Sequence, residues 1–231
     1  MAENKTPEND KKSVFEAKGF GSDEVVFQFE TEEGCEELYA PRSILVLASP
    51  VFKAMFEGNF KEKSEGVVKI TDFSKKYFLE FLLWCNPGTK QPIDESNVLE
   101  VLPIAEKYDV EPLKEKCRTK MLKWLQRCDS NTSESHGCVD VILPMLKILH
   151  TVVLYSYEKV TASAINTITR RGSGFFAFEE FDLYTYTSSA FGPMKTKHKE
   201  CVKLFSELPL EIQIRIYRQR LLKKDDNKLV K

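Results

Sequence analysis

Residues 38–56 read Leu38-Tyr-Ala-Pro-Arg-Ser-Ile-Leu-Val-Leu-Ala-Ser-Pro-Val-Phe-Lys-Ala-Met-Phe56. The stretch begins as the return half of a hairpin. Val25, Phe27 and Phe29 alternate with Val26, Gln28 and Glu30, the period of two expected of a half-buried strand. Glu32-Glu33-Gly34 then turns the chain, with Gly34 free to take positive φ, and Leu38 to Ala40 is the predicted partner strand. At Ser49-Pro50 the pattern changes. Serine caps a helix, and proline suits the first helical position because its missing N–H has no intrahelical partner there. Val51, Phe52, Met55 and Phe56 then share one helical face, and Gly58 is a natural stop.

The same reading extends outward. Val67 to Ile70 is predicted as a short strand. Ser74 is placed to cap a helix with Tyr77, Phe78, Phe81 and Leu82 on one stripe, and Asn86-Pro87-Gly88 ends it as a turn. Ser96 or Asn97 can cap a helix carrying Val98, Leu99, Val101, Leu102 and Ala105 inward. Pro112 opens another, with Leu113, Cys117, Met121 and Leu125 spaced by four. Hairpin, short helices, strand and a run of helices make an α+β domain over residues 23–127, a small sheet with surrounding helices.

Residues 1–22 are predicted to be disordered, since their first dozen residues are polar and cannot offset the entropy of ordering. Residues 128–138, rich in Ser, Asn and Thr, read as a linker. Residues 139–231 read as a mainly helical extension. Val141 to Val160 is one candidate helix, broken or kinked at Pro144. Phe175, Phe178 and Phe181 fall three apart. Pro209 to Lys224 is the strongest helix of this part: Glu207 and Glu211 stand at its start, and Arg218, Arg220, Lys223 and Lys224 at its end, as the helix dipole favours. No internal repeat is found.

Bulk properties narrow the function classes. The 231 residues are 42% hydrophobic and 30% charged, with 34 basic and 35 acidic side chains and a net charge of −1. That balance suits a soluble globular protein and gives no bulk attraction to a polyanion. Cys35, Cys85, Cys117, Cys128, Cys138 and Cys201 form no Cys-x-x-Cys pair. The polar start, Met1 to Lys12, does not read as a signal peptide. Reduced thiols in cytoplasm or nucleus are therefore expected. Val139 to Tyr157 is interrupted by Asp140, Pro144, Lys147 and His150, which favours a buried helix over a membrane span.

Catalytic and metal chemistry find little support. Cys128, His136, Cys138 and His150 could supply four zinc ligands, but their spacing fits no known finger pattern. His136, His150 and His198 stand in a linker, an apolar helix and a Lys-rich stretch, not beside a nucleophile and an acid. Arg171-Gly-Ser-Gly174 is too short for a phosphate loop. No cofactor, metal or catalytic residue is expected, and the chain reads as a non-enzyme. Arg215, Arg218, Arg220, Lys223 and Lys224 read as a solvated helix face more readily than as a nucleic-acid contact. Leu208-Pro-Leu-Glu-Ile-Gln-Ile-Arg-Ile216 looks superficially like the opening of an F-box, with too few residues after it to complete that fold.

The opening stretch resembles the heart of a BTB/POZ domain, which carries an aliphatic pair, then Ser-Pro-Val-Phe or similar, then a Met-Phe pair. Asp23-Glu-Val-Val is similar to that family's first strand. Asn59-Phe-Lys-Glu-Lys-Ser64 resembles the loop after the Met-Phe helix, and Ile70-Thr-Asp-Phe73 the strand and turn that follow. Asn97 to Tyr108 and Leu113 to Leu122 resemble its late helices. The match covers under half of the chain and is similar to the BTB of invertebrate MATH-BTB adaptors, though no MATH domain is expected before residue 23. Pro41 stands where the family has His, and Pro103 falls inside a helix.

The resemblance implies a dimeric adaptor that links the N-terminal domain of cullin-3 to a client protein in a ubiquitin ligase. The family's cullin contact is a hydrophobic residue, any residue, then Glu. Phe60-Lys61-Glu62 fills that pattern, with Met55, Phe56 and Tyr108 expected to line the same face. Phe60 would insert in an apolar groove as an anchor. Phe15, Phe20 and Val25 are candidates for the dimer interface and could equally pack within one chain. A self-association scaffold or transcriptional co-factor without a ligase role is the alternative. No nucleic acid or membrane partner is expected.

Overall fold

The computed structural model describes residues 14–19, 21, 23–32, 34–89, 91–130, 139–171 and 192–229. The chain divides into two compact units, Met1–Lys116 and Cys117–Lys231, and each is described by itself.

In the first unit, β1 (Glu24–Thr31) and β2 (Gly34–Pro41) form an antiparallel hairpin whose register runs from Glu24 opposite Pro41 to Thr31 opposite Gly34. Gly34 has φ +141°, the positive value the turn requires and one that a side chain disfavours. β3 (Val67–Ile70) lies parallel to β1 on its other side, giving the order β2-β1-β3. The period of two holds: Val25, Phe27, Phe29, Leu38, Ala40, Val68 and Ile70 are all buried.

Between β2 and β3 lie α1 (Arg42–Ala48), α2 (Pro50–Glu57) and α3 (Lys61–Glu65). α1 lacks a side-chain cap of its own. Asp23 supplies one from before β1, accepting from the Ser43 N–H at 3.0 Å. α2 starts as expected: the Ser49 hydroxyl accepts from the Phe52 N–H at 3.0 Å, and Pro50 occupies the first turn. After β3 come α4 (Lys75–Cys85), α5 (Val98–Lys107) and α6 (Glu111–Ser130). Ser74 sits at the N-cap of α4 without making the capping bond. Asn97, at the N-cap of α5, is buried and turns its amide elsewhere. Its oxygen accepts from the Asp94 N–H at 2.9 Å, and its nitrogen donates to Glu80 Oε2 at 2.6 Å. α5 runs through Pro103.

An aromatic cluster fills the space between sheet and helices. Phe27 lies 4.8 Å from Phe78 and 5.8 Å from Phe52 between ring centroids, and Phe52 stacks on Tyr108 at 4.2 Å. Burying each such ring contributes about 1.5–3 kcal/mol, with further gain from the edge-to-face geometry. α5 ends in a Schellman motif: the Val110 N–H bonds Ala105 C=O, the Asp109 N–H bonds Glu106 C=O, and Asp109 takes φ +51°.

The division between the two units falls inside α6. Leu113, Cys117, Met121 and Leu125 are fully buried, as their spacing by four implied. The second unit continues with α7 (Val139–Leu154), α8 (Glu158–Arg171), α9 (Gly192–Glu207) and α10 (Leu210–Leu229). α7 packs on α8 and α9, and α10 packs on α8. The buried face of α8 includes Thr167 and Thr169. Their hydroxyls donate to the carbonyls of Ser163 and Ile165, four residues back, at 3.0 and 2.6 Å, which satisfies them inside the helix.

Several expectations are corrected. The helix drawn from Val141 to Val160 ends at Leu154 and a new one starts at Glu158. A second Schellman motif separates them, with Ser156 at φ +57° and the Tyr157 N–H bonded to Val152 C=O. The disorder expected over residues 1–22 does not extend across residues 14–19: Phe15 is buried, and its carbonyl accepts from the Tyr39 N–H at 2.8 Å. α6 continues to Ser130, into the stretch read as a linker. The segment after Phe60, read as a loop, contains α3. Phe20, His136, Cys138, Gly172 to Gly174, Phe175, Phe178 and Phe181 lie outside the described residues.

Candidate protein-interaction face

The segment joining α2 to α3 is held by backbone geometry. Gly58 ends α2, its N–H bonded to Ala54 C=O at 2.8 Å. A Cβ on Gly58 would stand 2.4 Å from the Ala54 oxygen and 3.2–3.3 Å from two carbons of the Phe60 ring. Glycine is therefore required at this close approach, and the Phe60 ring lies over it. Phe60 is the extended N-cap residue of α3, and the Lys63 N–H bonds its carbonyl at 3.2 Å.

Three further ties fix α3. The Lys63 ammonium donates to the Glu57 carbonyl at 3.0 Å, a cation at the C-terminus of α2 where the dipole favours one. Gly66, at φ +65°, donates its N–H to Glu62 C=O at 3.0 Å. The Arg42 guanidinium reaches Lys63 C=O at 3.5 Å and stands 5.3 Å from the Phe56 ring centre.

Within this frame Phe60 is 59% exposed. Glu62 is half-buried in the first turn of α3, and its carboxylate has no ion pair or side-chain bond among the described residues. Met55 is half-buried on α2. An outward aromatic ring and an unengaged carboxylate thus stand two residues apart on a braced turn. An aromatic anchor can enter an apolar groove and a carboxylate can accept bonds from free N–H groups, so the pair suits binding to a protein surface.

Phe56 and Tyr108 do not belong to that face. Phe56 is buried against Phe52, their rings 5.7 Å apart. Tyr108 is 2% exposed, between Phe52, Phe78 and Phe81, and burial raises its hydroxyl above the usual tyrosine range, with the Asp72 charge adding to the shift. Both are core residues. Phe15 and Val25, candidates for the dimer interface, are likewise buried within the chain. Leu47 on α1 was missed by the sequence reading and is the most exposed of the large apolar side chains described, at 88%. Its signal was the run Ile44-Leu-Val-Leu47: four successive apolar residues cannot all face the core of a helix with 3.6 residues per turn.

Among the described residues no group of three His, Cys, Asp or Glu is placed to hold a metal, and no helix is long and apolar enough to cross a membrane.

The BTB/POZ family model matches residues 17–124, which contain the three strands, the aromatic cluster and the Phe60 turn. Residues 17–124 are a BTB/POZ domain. BTB/POZ domains are protein-interaction domains, and here one is followed by a helical C-terminal region. A BTB/POZ domain-containing protein of Arabidopsis thaliana is 34% identical over 96 residues, 42% of this chain and 39% of that protein. A second from the same organism is 27% identical over 145 residues, 63% of this chain and 40% of that protein. BTB and MATH domain-containing protein 38 of Caenorhabditis elegans is 34% identical over 82 residues, 36% of this chain and 21% of that protein. The matched stretches span two fifths or less of these curated relatives.

Proposed function

We propose that this chain is a non-catalytic adaptor, a dimeric subunit that joins the N-terminal domain of cullin-3 to a client protein in a ubiquitin ligase. The observation that carries the reading is the braced turn: Phe60, 59% exposed over Gly58, with the unengaged Glu62 carboxylate two residues on. Phe60 enters an apolar groove of the cullin and excludes water there. Glu62 accepts hydrogen bonds at a helix N-terminus of the partner. Met55 lies at the margin of the contact. The resemblance to a BTB and MATH domain-containing protein over the BTB part supports the same direction. Residues 139–231 receive the client, and the protein works in the cytoplasm, the nucleus or both.

The burial of Phe15 and Val25 within one chain leaves dimerisation to other surfaces or to an exchange of segments between copies. Calorimetric titration of the purified chain with the cullin-3 N-terminal domain tests the proposal, beside a Phe60→Ala, Glu62→Ala variant. Micromolar or tighter binding that the variant weakens about tenfold, roughly 1.4 kcal/mol, is the expected result. A folded chain that does not bind overturns the ligase reading and leaves a BTB assembly module.

A further inference from the structure

α10 is apolar on two opposite faces. It packs on α8 and buries Ile212 and Ile216. On the far side Leu210 is 70% exposed, Ile214 39% and Leu221 62%; Tyr217 borders them, half-buried with its ring edge-on to that of Phe205 on α9 at 5.6 Å. Leu210, Ile214, Tyr217 and Leu221 follow one another by four, three and four residues. At 3.6 residues per turn this places them in a stripe about 60° wide. That alternation of four and three is the spacing of a coiled-coil seam, which a second helix fills by seating its own side chains between these. A single exposed leucine is ordinary; an aligned series of them is an interaction surface.

The flank of the stripe states the charge of its occupant. Arg215 and Arg218 stand along one side of it with Glu211 between them, and neither arginine has an ion pair or hydrogen-bond partner among the described residues. Over Leu210–Leu222 the helix carries three arginines against the single acidic residue Glu211. A second copy of α10 would bring the same positive excess to the contact, and like charges facing across a seam destabilise it. A helix with acidic flanks removes the excess instead.

We infer that the outer face of α10 is a docking site for an amphipathic helix of a partner protein, with an apolar seam and Asp or Glu along its flanks. The inference stands apart from the cullin reading, because it uses neither Phe60 nor Glu62. In that assembly α10 is the middle layer, held to α8 by Ile212 and Ile216 and to the partner by Leu210, Ile214 and Leu221. Arg215 and Arg218 steer the encounter and select against basic helices.

The test uses the full chain and two fluorescent peptides of three heptads each, with leucine at both seam positions and either Glu or Lys at all flanking positions. The acidic peptide is expected to bind at least about tenfold tighter than its basic twin, with the difference shrinking as salt rises. A Leu210→Ser, Ile214→Ser, Leu221→Ser variant is expected to keep its circular dichroism and to lose about tenfold or more in affinity. An Arg215→Glu, Arg218→Glu variant is expected to reverse the preference between peptides. The Phe60→Ala, Glu62→Ala variant is expected to bind the acidic peptide as the native chain does, which separates this site from the cullin contact. Equal binding of the two peptides, or no reversal by the charge swap, overturns the proposal. So does an absence of binding, whether the stripe proves covered by the chain's own residues in hydrogen exchange or by a second copy in sedimentation.

Discussion

The hydroxyl of Ser49 donates to the backbone carbonyl of Tyr108 while accepting from the Phe52 N–H at 3.0 Å. One buried side chain thereby starts α2 and fastens the end of α5 to it, directly beside the Phe52–Tyr108 stack. Ser49→Ala removes the cap, at about 1 kcal/mol, and strands a buried carbonyl, at about 1–3 kcal/mol. A loss of about 2–4 kcal/mol is expected, read as a lower urea midpoint with an unchanged slope. A midpoint within experimental scatter of the native one would show that the bond does not form in solution.

Gly58→Ala places a methyl group where the Ala54 carbonyl and the Phe60 ring already stand. The backbone has to move, at a cost of about 1–3 kcal/mol, and the ring leaves its seat. The expected outcome is a measurable fall in stability and, at the proposed cullin contact, a loss of affinity comparable to that of Phe60→Ala. Retained affinity in a destabilised chain would mean that the ring is not positioned by Gly58.

Ser156 adopts left-handed geometry at the end of α7 with its side chain exposed. Glycine takes that conformation without the penalty that an L side chain carries, so Ser156→Gly is expected to raise stability by about 0.5–1 kcal/mol. Asp109 has the same backbone geometry, but its carboxylate pairs with Lys114 at 2.6 Å. Asp109→Gly exchanges one gain for one loss and is expected to be close to neutral. Thermal melts of the two variants side by side distinguish these outcomes.

The described cysteines differ in burial. Cys35 is exposed. Burial pushes the thiols of Cys85 and Cys201 from an ordinary value near 9 up to about 12, with the Glu200 charge adding to the effect at Cys201. Since the thiolate is the nucleophile, iodoacetamide at pH 8 is expected to label Cys35 quickly and the other two slowly; mass spectrometry of the digested protein reads the order. The same shifts predict a pH dependence. Between pH 9 and 12 the unfolded thiols ionise while the folded ones keep their protons. Stability contributed by the two groups is therefore complete below pH 9 and lost as pH rises toward 12. Cys85→Ala should flatten that decline.

The elements that local chemistry specifies were legible in the sequence. The strands around Phe27 followed from alternation, α2 from Ser49-Pro50, and the buried row of α6 from spacing by four. What escaped was decided by tertiary packing. Ile44-Leu-Val-Leu47 has no period and favours strands by composition, yet it forms a helix capped by the distant Asp23. α8 is rich in Ser, Thr and Asn, poor helix formers when solvated, and two of its threonines satisfy themselves on the preceding turn. The break before it was hidden because a serine, not a glycine, takes the left-handed position. At the site, the Phe60-Lys-Glu62 pattern was visible, but which aromatics face outward was not. Phe56 and Tyr108 look as available as Phe60 in the sequence, and only the packing around Phe52 withdraws them.

The sheet order has a consequence for how the chain reaches its fold. β1 and β2 meet across a tight turn, a hairpin of the kind that closes in microseconds. β3 pairs with the other side of β1, joining Val26 to Val67, and so cannot arrive until α1, α2 and α3 have been synthesised and gathered in. During that interval the far edge of β1 is an open template of unpaired N–H and C=O groups beside Val26 and Phe27, the kind of edge that recruits foreign strands. Until Val67 docks, that edge is the part of the sheet most open to pairing with another chain.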